Sequence, residues 1–142
     1  AQIYYGDEIA RPLRIEGTQG DATLRSFMNW EDLSQKSTKD LLTHWQKLGQ
    51  FRKAHPAIGA GIHQQIQASP YLFKRTLAAN NQQDEVLIGL DLKKGQKNIP
   101  VSAVFENGSK VKDFYSGKMA TVKDGAIQLD TRFEIILVEA VN

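Results

Sequence analysis

The spacing of apolar residues predicts one long helix in the first half of the chain. Leu41, Trp45, Leu48 and Phe51 recur at spacings of four, three and three, which places them on one face of a helix. A capping-box pattern at its start and a proline at its end bound this helix at residues 37–56. An apolar stripe of this kind needs a partner surface, because packing stabilises a helix more than its own propensity does.

After residue 57 the apolar period changes from helical to two, which is typical of β-strands. The predicted strands are residues 71–77, 86–92, 99–105, 111–115, 119–122, 126–129 and 132–141, with a further short lead-in at 64–67. About seven strands with frequent turns and no intervening helix predict an antiparallel β-sandwich. The small residues 57–61 are predicted to be a flexible linker, so the expected domains are 1–57 and 58–142.

The first 36 residues carry aromatic and acidic groups without a clear period. Ile3-Tyr4-Tyr5 is predicted to be a strand that ends in a turn at Gly6-Asp7-Glu8. Residues 10–26 are predicted to be a long loop, which in a compact domain indicates a function or membership of something larger. The apolar run at 24–30 leaves two alternatives open, a hydrophobic anchor for the loop or a platform for a ligand.

Composition narrows the function classes. The 142 residues suffice for one domain with a real core, and the net charge of +2 is too small to suggest nucleic acid. No apolar run approaches the length of a membrane span, so a soluble protein is expected, in a compartment that the sequence leaves open. There are no cysteines for a disulfide framework. The start lacks methionine and a signal region, which predicts the interior of a longer chain.

Three segments together resemble the closing part of the alpha-amylase family (family 13) of glycoside hydrolases. The first two are Tyr4-Tyr5-Gly6-Asp7-Glu8 and Arg25-Ser26-Phe27-Met28-Asn29-Trp30. The third is the end of the predicted helix, from Leu48 to Ala57, which contains Arg52-Lys53-Ala54-His55-Pro56. Over residues 1 to about 60 their order, types and spacing agree with that family. The resemblance implies a mainly β fold, in which an antiparallel Greek-key β-sandwich is preceded by one long α-helix and a remnant of a (β/α)8 barrel.

The resemblance also implies what this chain does and lacks. The family's motifs for the nucleophile and the acid/base are absent, so no catalytic residue is assigned and the fragment is expected to be inactive. Its parent would be a retaining enzyme acting on α-glucosidic bonds of starch-like glucans or oligosaccharides. In that parent the expected neighbours of substrate are Tyr5, Asp7, Glu8, Arg25 and Trp30.

The implied partner is the N-terminal catalytic barrel of the same parent chain. A second copy is an alternative partner, because a truncated strand at residues 3–5 would leave an edge open to pairing, and disorder of that strand is the other alternative. Alpha-glucan is a candidate ligand. Nucleic acid and membrane are not expected.

A stand-alone carbohydrate-binding sandwich is the rival function. Tyr71, Phe73, Phe114 and Tyr115 are candidate rings for stacking on sugar, against the alternative that they belong to the core. Phe114 and Tyr115 are adjacent, so one should point inward, and Tyr115 is the predicted surface contact. The three histidines have no ligand spacing, so neither a metal nor another cofactor is expected.

Overall fold

The computed structural model describes residues 2–12, 15–79 and 82–141. It divides into two compact units, of which the first ends at Leu48 and the second begins at Gly49. The predicted domain boundary at residues 57/58 stays a prediction. Residues 13–14 of the predicted loop and 80–81 of the predicted turn lie outside the described residues.

In the part of the first unit that the structure describes, irregular segments and three short 3₁₀ helices precede the long helix. The 3₁₀ helices are Asp7–Ile9, Gly20–Leu24 and Trp30–Ser34. Ile3 to Tyr5 is not a strand, so that prediction is wrong. The Asp7 amide instead donates to the Tyr4 carbonyl at 3.1 Å, which closes a turn where the strand was expected to continue.

Helix α1, Lys36–Ala54, confirms the long predicted helix, and its residues are shared between the two units. It ends because Pro56 lies two residues beyond it and His55 is extended, although the His55 amide still donates to the Phe51 carbonyl at 2.9 Å. Of the predicted apolar stripe only Phe51 is buried, and the other three members are half-buried.

The predicted linker is a second helix, α2, Pro56–Ala60. Proline suits the first helical position because its fixed φ matches a helix and its missing N–H is not needed there. Small residues permit close packing here: a Cβ added to Gly61 would lie 2.6 Å from the carbonyl oxygens of Ala57 and Thr76. The pattern of small residues therefore indicated close approach rather than flexibility.

The described residues of the second unit form eight antiparallel strands, which confirms the mainly β fold class. They are β1 Ile62–Gln67, β2 Tyr71–Ala79, β3 Gln82–Leu90, β4 Gly95–Pro100, β5 Lys110–Asp113, β6 Met119–Thr121, β7 Ala126–Thr131 and β8 Ile136–Ala140. Six of them form one sheet in the order β1-β2-β3-β8-β5-β6, and β4 pairs with β7 in a second sheet. Leu72, Leu87 and Val138 of the large sheet share one buried core with Ile99 and Ile127 of the small sheet.

Strand β3 is buried on both faces, whereas its alternation predicted burial of one. Leu87 faces the core between the sheets, and Val86 and Ile88 face the opposite side, yet all three are nearly inaccessible. Helix α2 packs against β2 and β3. We call the side of the large sheet that carries Val86 and Ile88 the helix-side face.

The predicted strand at residues 99–105 ends early, at Pro100. The Val101 and Ser102 amides both donate to the Gly125 carbonyl, at 2.8 and 3.1 Å, and the Phe105 amide turns back to the Val101 carbonyl. Val101 and Phe105 are still buried. Their spacing therefore reflected burial of a turn rather than continuation of a strand.

Candidate functional site

The two adjacent carboxylates of the first unit serve a turn. An Asp7 Oδ2 atom accepts from the Tyr4 amide at 2.9 Å, and Glu8 Oε2 accepts from the Gly6 amide at 3.1 Å. Both side chains are half-buried. Their hydrogen bonds to backbone within three residues fix the turn and do not make them a facing acid pair of the kind that glycoside hydrolysis requires.

A buried arginine that sequence reasoning missed organises this turn. Arg11 is 4% exposed, and its guanidinium donates to the carbonyls of Tyr5 at 2.9 Å, Leu24 at 3.0 Å and Ser26 at 3.3 Å. The same group lies 4.0 Å from the centre of the Tyr5 ring. The only sequence signal was Gly6: a Cβ there would lie 2.6 Å from Arg11, and its φ is +87°.

The remaining predicted substrate neighbours are exposed. The Tyr5 hydroxyl donates to the Ser26 carbonyl at 3.0 Å, which joins the turn to the segment that carries Arg25 and Trp30. Arg25 pairs with Asp21 across 3.7 Å in solvent. Trp30 is 64% exposed. The structure thus brings Tyr5 to the segment beside Arg25, and the role predicted for these residues stays a prediction.

Several large apolar side chains in the described part of the first unit are exposed to solvent. We call them together the open apolar patch, and they are Ile3, Tyr4, Tyr5, Leu24, Phe27 and Trp30. The side chain of Phe27 is 98% exposed, so its ring packs against almost nothing. Nearby, the buried Oδ1 of Asn29 has no hydrogen-bond partner among the described residues.

The structure corrects the expectation that Tyr115 lies at the surface. Its side chain is 8% exposed, and its ring packs edge-on against Phe133 at 4.9 Å between centres. Burial, with the nearby negative charge of Asp113, raises the pKa of the Tyr115 phenol. Phe114 takes the other side and packs against Phe51 at 5.4 Å. Both residues lie in the turn after β5 rather than in the predicted strand, so the alternation of a strand does not decide which of them faces inward.

A cluster at the end of α1 was also missed. His55 Nδ1 lies 2.8 Å from Asp84 Oδ1 on β3, and His55 Nε2 lies 2.8 Å from Glu139 Oε2 on β8. The other Asp84 oxygen accepts from the Ala57 amide at 2.9 Å, so the same carboxylate holds the start of α2. The two carboxylates contact different nitrogens of the His55 ring, so the cluster links the end of α1 and the start of α2 to the large sheet. It does not place three ligands around one point, as a metal ion would require.

Three rings lie together on the edge of the large sheet. His63 on β1 contacts Tyr71 and Phe73 on β2, with ring centres 6.2 and 4.6 Å away, and the two β2 rings are 5.3 Å apart. His63 Nε2 lies 2.8 Å from the Tyr71 hydroxyl. Two of these rings are among the sugar-stacking candidates of the sequence. We call the three residues the aromatic cluster.

The described parts of the chain offer neither a metal cluster nor a membrane helix. Within residues 2–12, 15–79 and 82–141, no group of three His, Cys, Asp or Glu side chains could hold a metal ion. No helix in those same ranges combines the length and apolar character needed to cross a membrane.

Comparison with known proteins gives one sequence match and several matches in fold. The chain is 53% identical over 60 residues to the periplasmic alpha-amylase of Escherichia coli K12, a stretch that is 42% of this chain and 9% of that protein. The chain is similar to the C-terminal portion of the alpha-amylase family. This confirms the resemblance drawn from the sequence. No protein-family model matches the chain.

Solved structures agree in fold. An Anoxybacillus alpha-amylase matches with a TM-score of 0.59 and 22% identity, over 86% of this chain and 26% of that one. A protein of Thermus thermophilus matches with a TM-score of 0.61 and 24% identity, over 98% of this chain and 27% of that one. AmyP, solved with maltose, matches with a TM-score of 0.52 and 18% identity, over 84% of this chain and 23% of that one. The chain thus spans about a quarter of each of these solved chains.

Proposed function

We propose that this chain is the C-terminal accessory part of an alpha-amylase-like glycoside hydrolase that acts on α-glucosidic bonds of starch-like glucans or oligosaccharides. The 53% identity to an alpha-amylase over 60 residues carries the proposal. The chain alone is inactive, because its sequence holds none of the family's catalytic motifs and its adjacent carboxylates serve a turn.

The partner is the catalytic barrel of the same enzyme. The open apolar patch supports this, since a monomer gains about 1.5–3 kcal/mol for each large apolar side chain that it fully buries. Phe27 and Trp30 leave most of that stabilisation unused. A barrel that accepts the patch would also offer a donor to the unsatisfied Asn29 oxygen. The β-sandwich adds stability to the assembled enzyme.

In the assembled enzyme the turn at Asp7 and Glu8 lies beside the substrate rather than in the reaction. Hydrolysis proceeds there with retention: one carboxylate of the barrel forms the glycosyl-enzyme intermediate while a second protonates the leaving oxygen and then activates water. Arg11 holds the Tyr5 carbonyl and the Leu24 carbonyl at one point. Through these two carbonyls, Arg11 positions Tyr5, Arg25 and Trp30 at the rim of the barrel.

A chimera tests the proposal. The catalytic part of the Escherichia coli enzyme is joined to this chain in place of its own matching segment, and release of reducing sugar from soluble starch is measured. We expect hydrolysis by the chimera and none by the chain alone. Starch hydrolysis by the purified chain would refute its inactivity, and a folded but inactive chimera would count against the accessory role.

Two matched variants separate docking from general surface effects. Phe27→Asp places a charge in the open apolar patch and is expected to lower the activity or melting temperature of the chimera. Ile62→Asp places the same charge on another exposed apolar residue, which is 76% accessible and lies in the second unit. Equal losses in both variants would contradict a specific role for the patch.

A further inference from the structure

The aromatic cluster lies on the side of the large sheet that faces away from the core. Leu72 of β2 is in the core, so its neighbours Tyr71 and Phe73 point to the helix-side face. His63 pairs with Arg75 in register, which places it on the same face. Both β2 rings are half-buried and His63 is exposed. The cluster therefore presents ring surface to solvent rather than filling the interior.

The rings are held in place before any ligand arrives. The contact of 2.8 Å between His63 Nε2 and the Tyr71 hydroxyl joins β1 to β2 at their side chains. The His63 and Tyr71 rings are close to parallel, with an angle of 21° between their planes, and Phe73 is tilted by 34° and 37° to them. A preorganised surface loses less side-chain entropy when it binds.

The surroundings of the rings are polar and carry no available cation on this face of β1 and β2. Gln65 lies directly opposite Phe73 and is exposed, so an amide stands beside the rings. Arg75 is the charged neighbour, but its guanidinium donates to the carbonyls of Ala57 at 3.0 Å and Ile58 at 3.2 Å. A phosphate-bearing ligand would need a charge that this face does not offer.

We propose that His63, Tyr71 and Phe73 form a binding surface for the pyranose rings of an α-glucan. A sugar is apolar on the faces of its ring and polar around its rim. It therefore matches the rings of Tyr71 and Phe73, which are bordered by the Gln65 amide and the His63 imidazole. The choice of α-glucan rests on the proposed function. The surface would hold the polymer to the enzyme, and it replaces Tyr115 as the sugar contact of the sandwich.

Titration calorimetry of the purified chain with maltoheptaose tests the surface. Each ring that a sugar covers buries apolar area, so Tyr71→Leu and Phe73→Leu, which keep bulk but remove the flat face, should each weaken binding by at least about tenfold. Tyr71→Phe keeps the ring and should bind within a few-fold of the original chain. Phe27→Ala removes an exposed ring from the first unit and should leave the affinity unchanged.

Folding is checked by circular dichroism, and Gln65→Ala gives a further variant that leaves the rings intact. We expect this variant to be folded and to bind more weakly, because the amide borders the sugar rim. The proposal is overturned if the original chain does not bind maltoheptaose, or if the folded leucine variants bind as well as it does. It is also overturned if Phe27→Ala abolishes binding, which would place the sugar on the open apolar patch.

The outcome is distinguishable from failure of the proposed function. If the chimera hydrolyses starch but the chain does not bind maltoheptaose, the accessory role stands and the aromatic surface falls. If the chain binds maltoheptaose through Tyr71 and Phe73 but the chimera is folded and inactive, the surface stands and the accessory role falls.

Discussion

The imidazole of His55 contacts two carboxylates that are distant in sequence. Its Nε2 atom lies 2.8 Å from the Oε2 atom of Glu139, which is 84 residues further along the chain. The second bond, to Asp84, places the end of α1 against β3. All three side chains are largely buried, at 14% to 17% exposure. The cluster thereby connects the helix ends to the middle of the large sheet.

Replacing His55 with alanine should lower the free energy of unfolding by about 1–3 kcal/mol, because both carboxylates lose a charge-assisted partner while remaining largely buried. Urea denaturation followed by circular dichroism measures this. Lys94→Ala is the control, since its pair with Glu134 is long and exposed, and pairs of this kind contribute little. Equal effects of the two substitutions would show that the His55 bonds contribute little.

Replacing Arg11 with lysine should loosen residues 24–26, because one ammonium cannot reproduce the fork that reaches both the Tyr5 and the Leu24 carbonyl. We expect faster hydrogen exchange there and earlier chymotrypsin cleavage near Phe27, with the second unit unchanged. Arg25→Lys is the control, because that side chain makes an exposed pair. Unaltered exchange in Arg11→Lys would contradict the positioning role.

Replacing Asp113 with asparagine should destabilise the second unit by about 1–3 kcal/mol. The buried carboxylate accepts from the Tyr115 and Leu137 amides at 3.1 and 2.9 Å through one oxygen, and from the Ser116 amide at 3.2 Å through the other. An amide group has only one acceptor oxygen. Asp124→Asn is the matched control, because that residue is exposed in a turn with φ of 50°, which asparagine tolerates. Melting temperatures that fall equally in both variants would argue against this role.

Tyr115 should ionise at a higher pH than an ordinary tyrosine. Burial and the charge of Asp113 raise its pKa above the usual 10.0. The native phenol then keeps a proton that the unfolded chain loses, so stability falls as the pH rises from about 10 through the folded pKa. In absorbance titration at alkaline pH we expect Tyr115→Phe to remove a step that lies above the usual tyrosine pKa of 10.0.

Comparison of Tyr115→Phe with the original protein also separates the pH dependence of stability that is due to Tyr115 from the part that is due to Lys97. Burial lowers the Lys97 pKa from 10.5, so its contribution has the opposite sign: stability rises with pH between its folded and unfolded values. Lys97 is present in both proteins and cancels in the difference. If stability above pH 10 depends on pH identically in both, Tyr115 does not hold its proton in the way described.

Local patterns were sufficient for the elements that depend on neighbours in sequence. The spacing of Leu41, Trp45 and Leu48 predicted α1, and the strands predicted at 119–122 and 126–129 leave between them a turn in which Asp124 and Gly125 have φ angles of 50° and 74°. Helical spacing and turn chemistry act within a few residues, so they are readable without the fold. The three motifs that resemble an alpha-amylase were likewise contiguous in the chain.

Tertiary structure decided the features that depend on distant residues. Residues 56–60 became helix α2 because Asp84 and Arg75, from β3 and β2, bind its backbone. Tyr115 lies inward in the turn that follows β5, where its amide donates to the buried carboxylate of Asp113 and its ring packs on Phe133. Arg11 found its carbonyl partners through the return of residues 24–26. A period of two shows that neighbours alternate, but only the paired strands and the packed helix determine which side is buried.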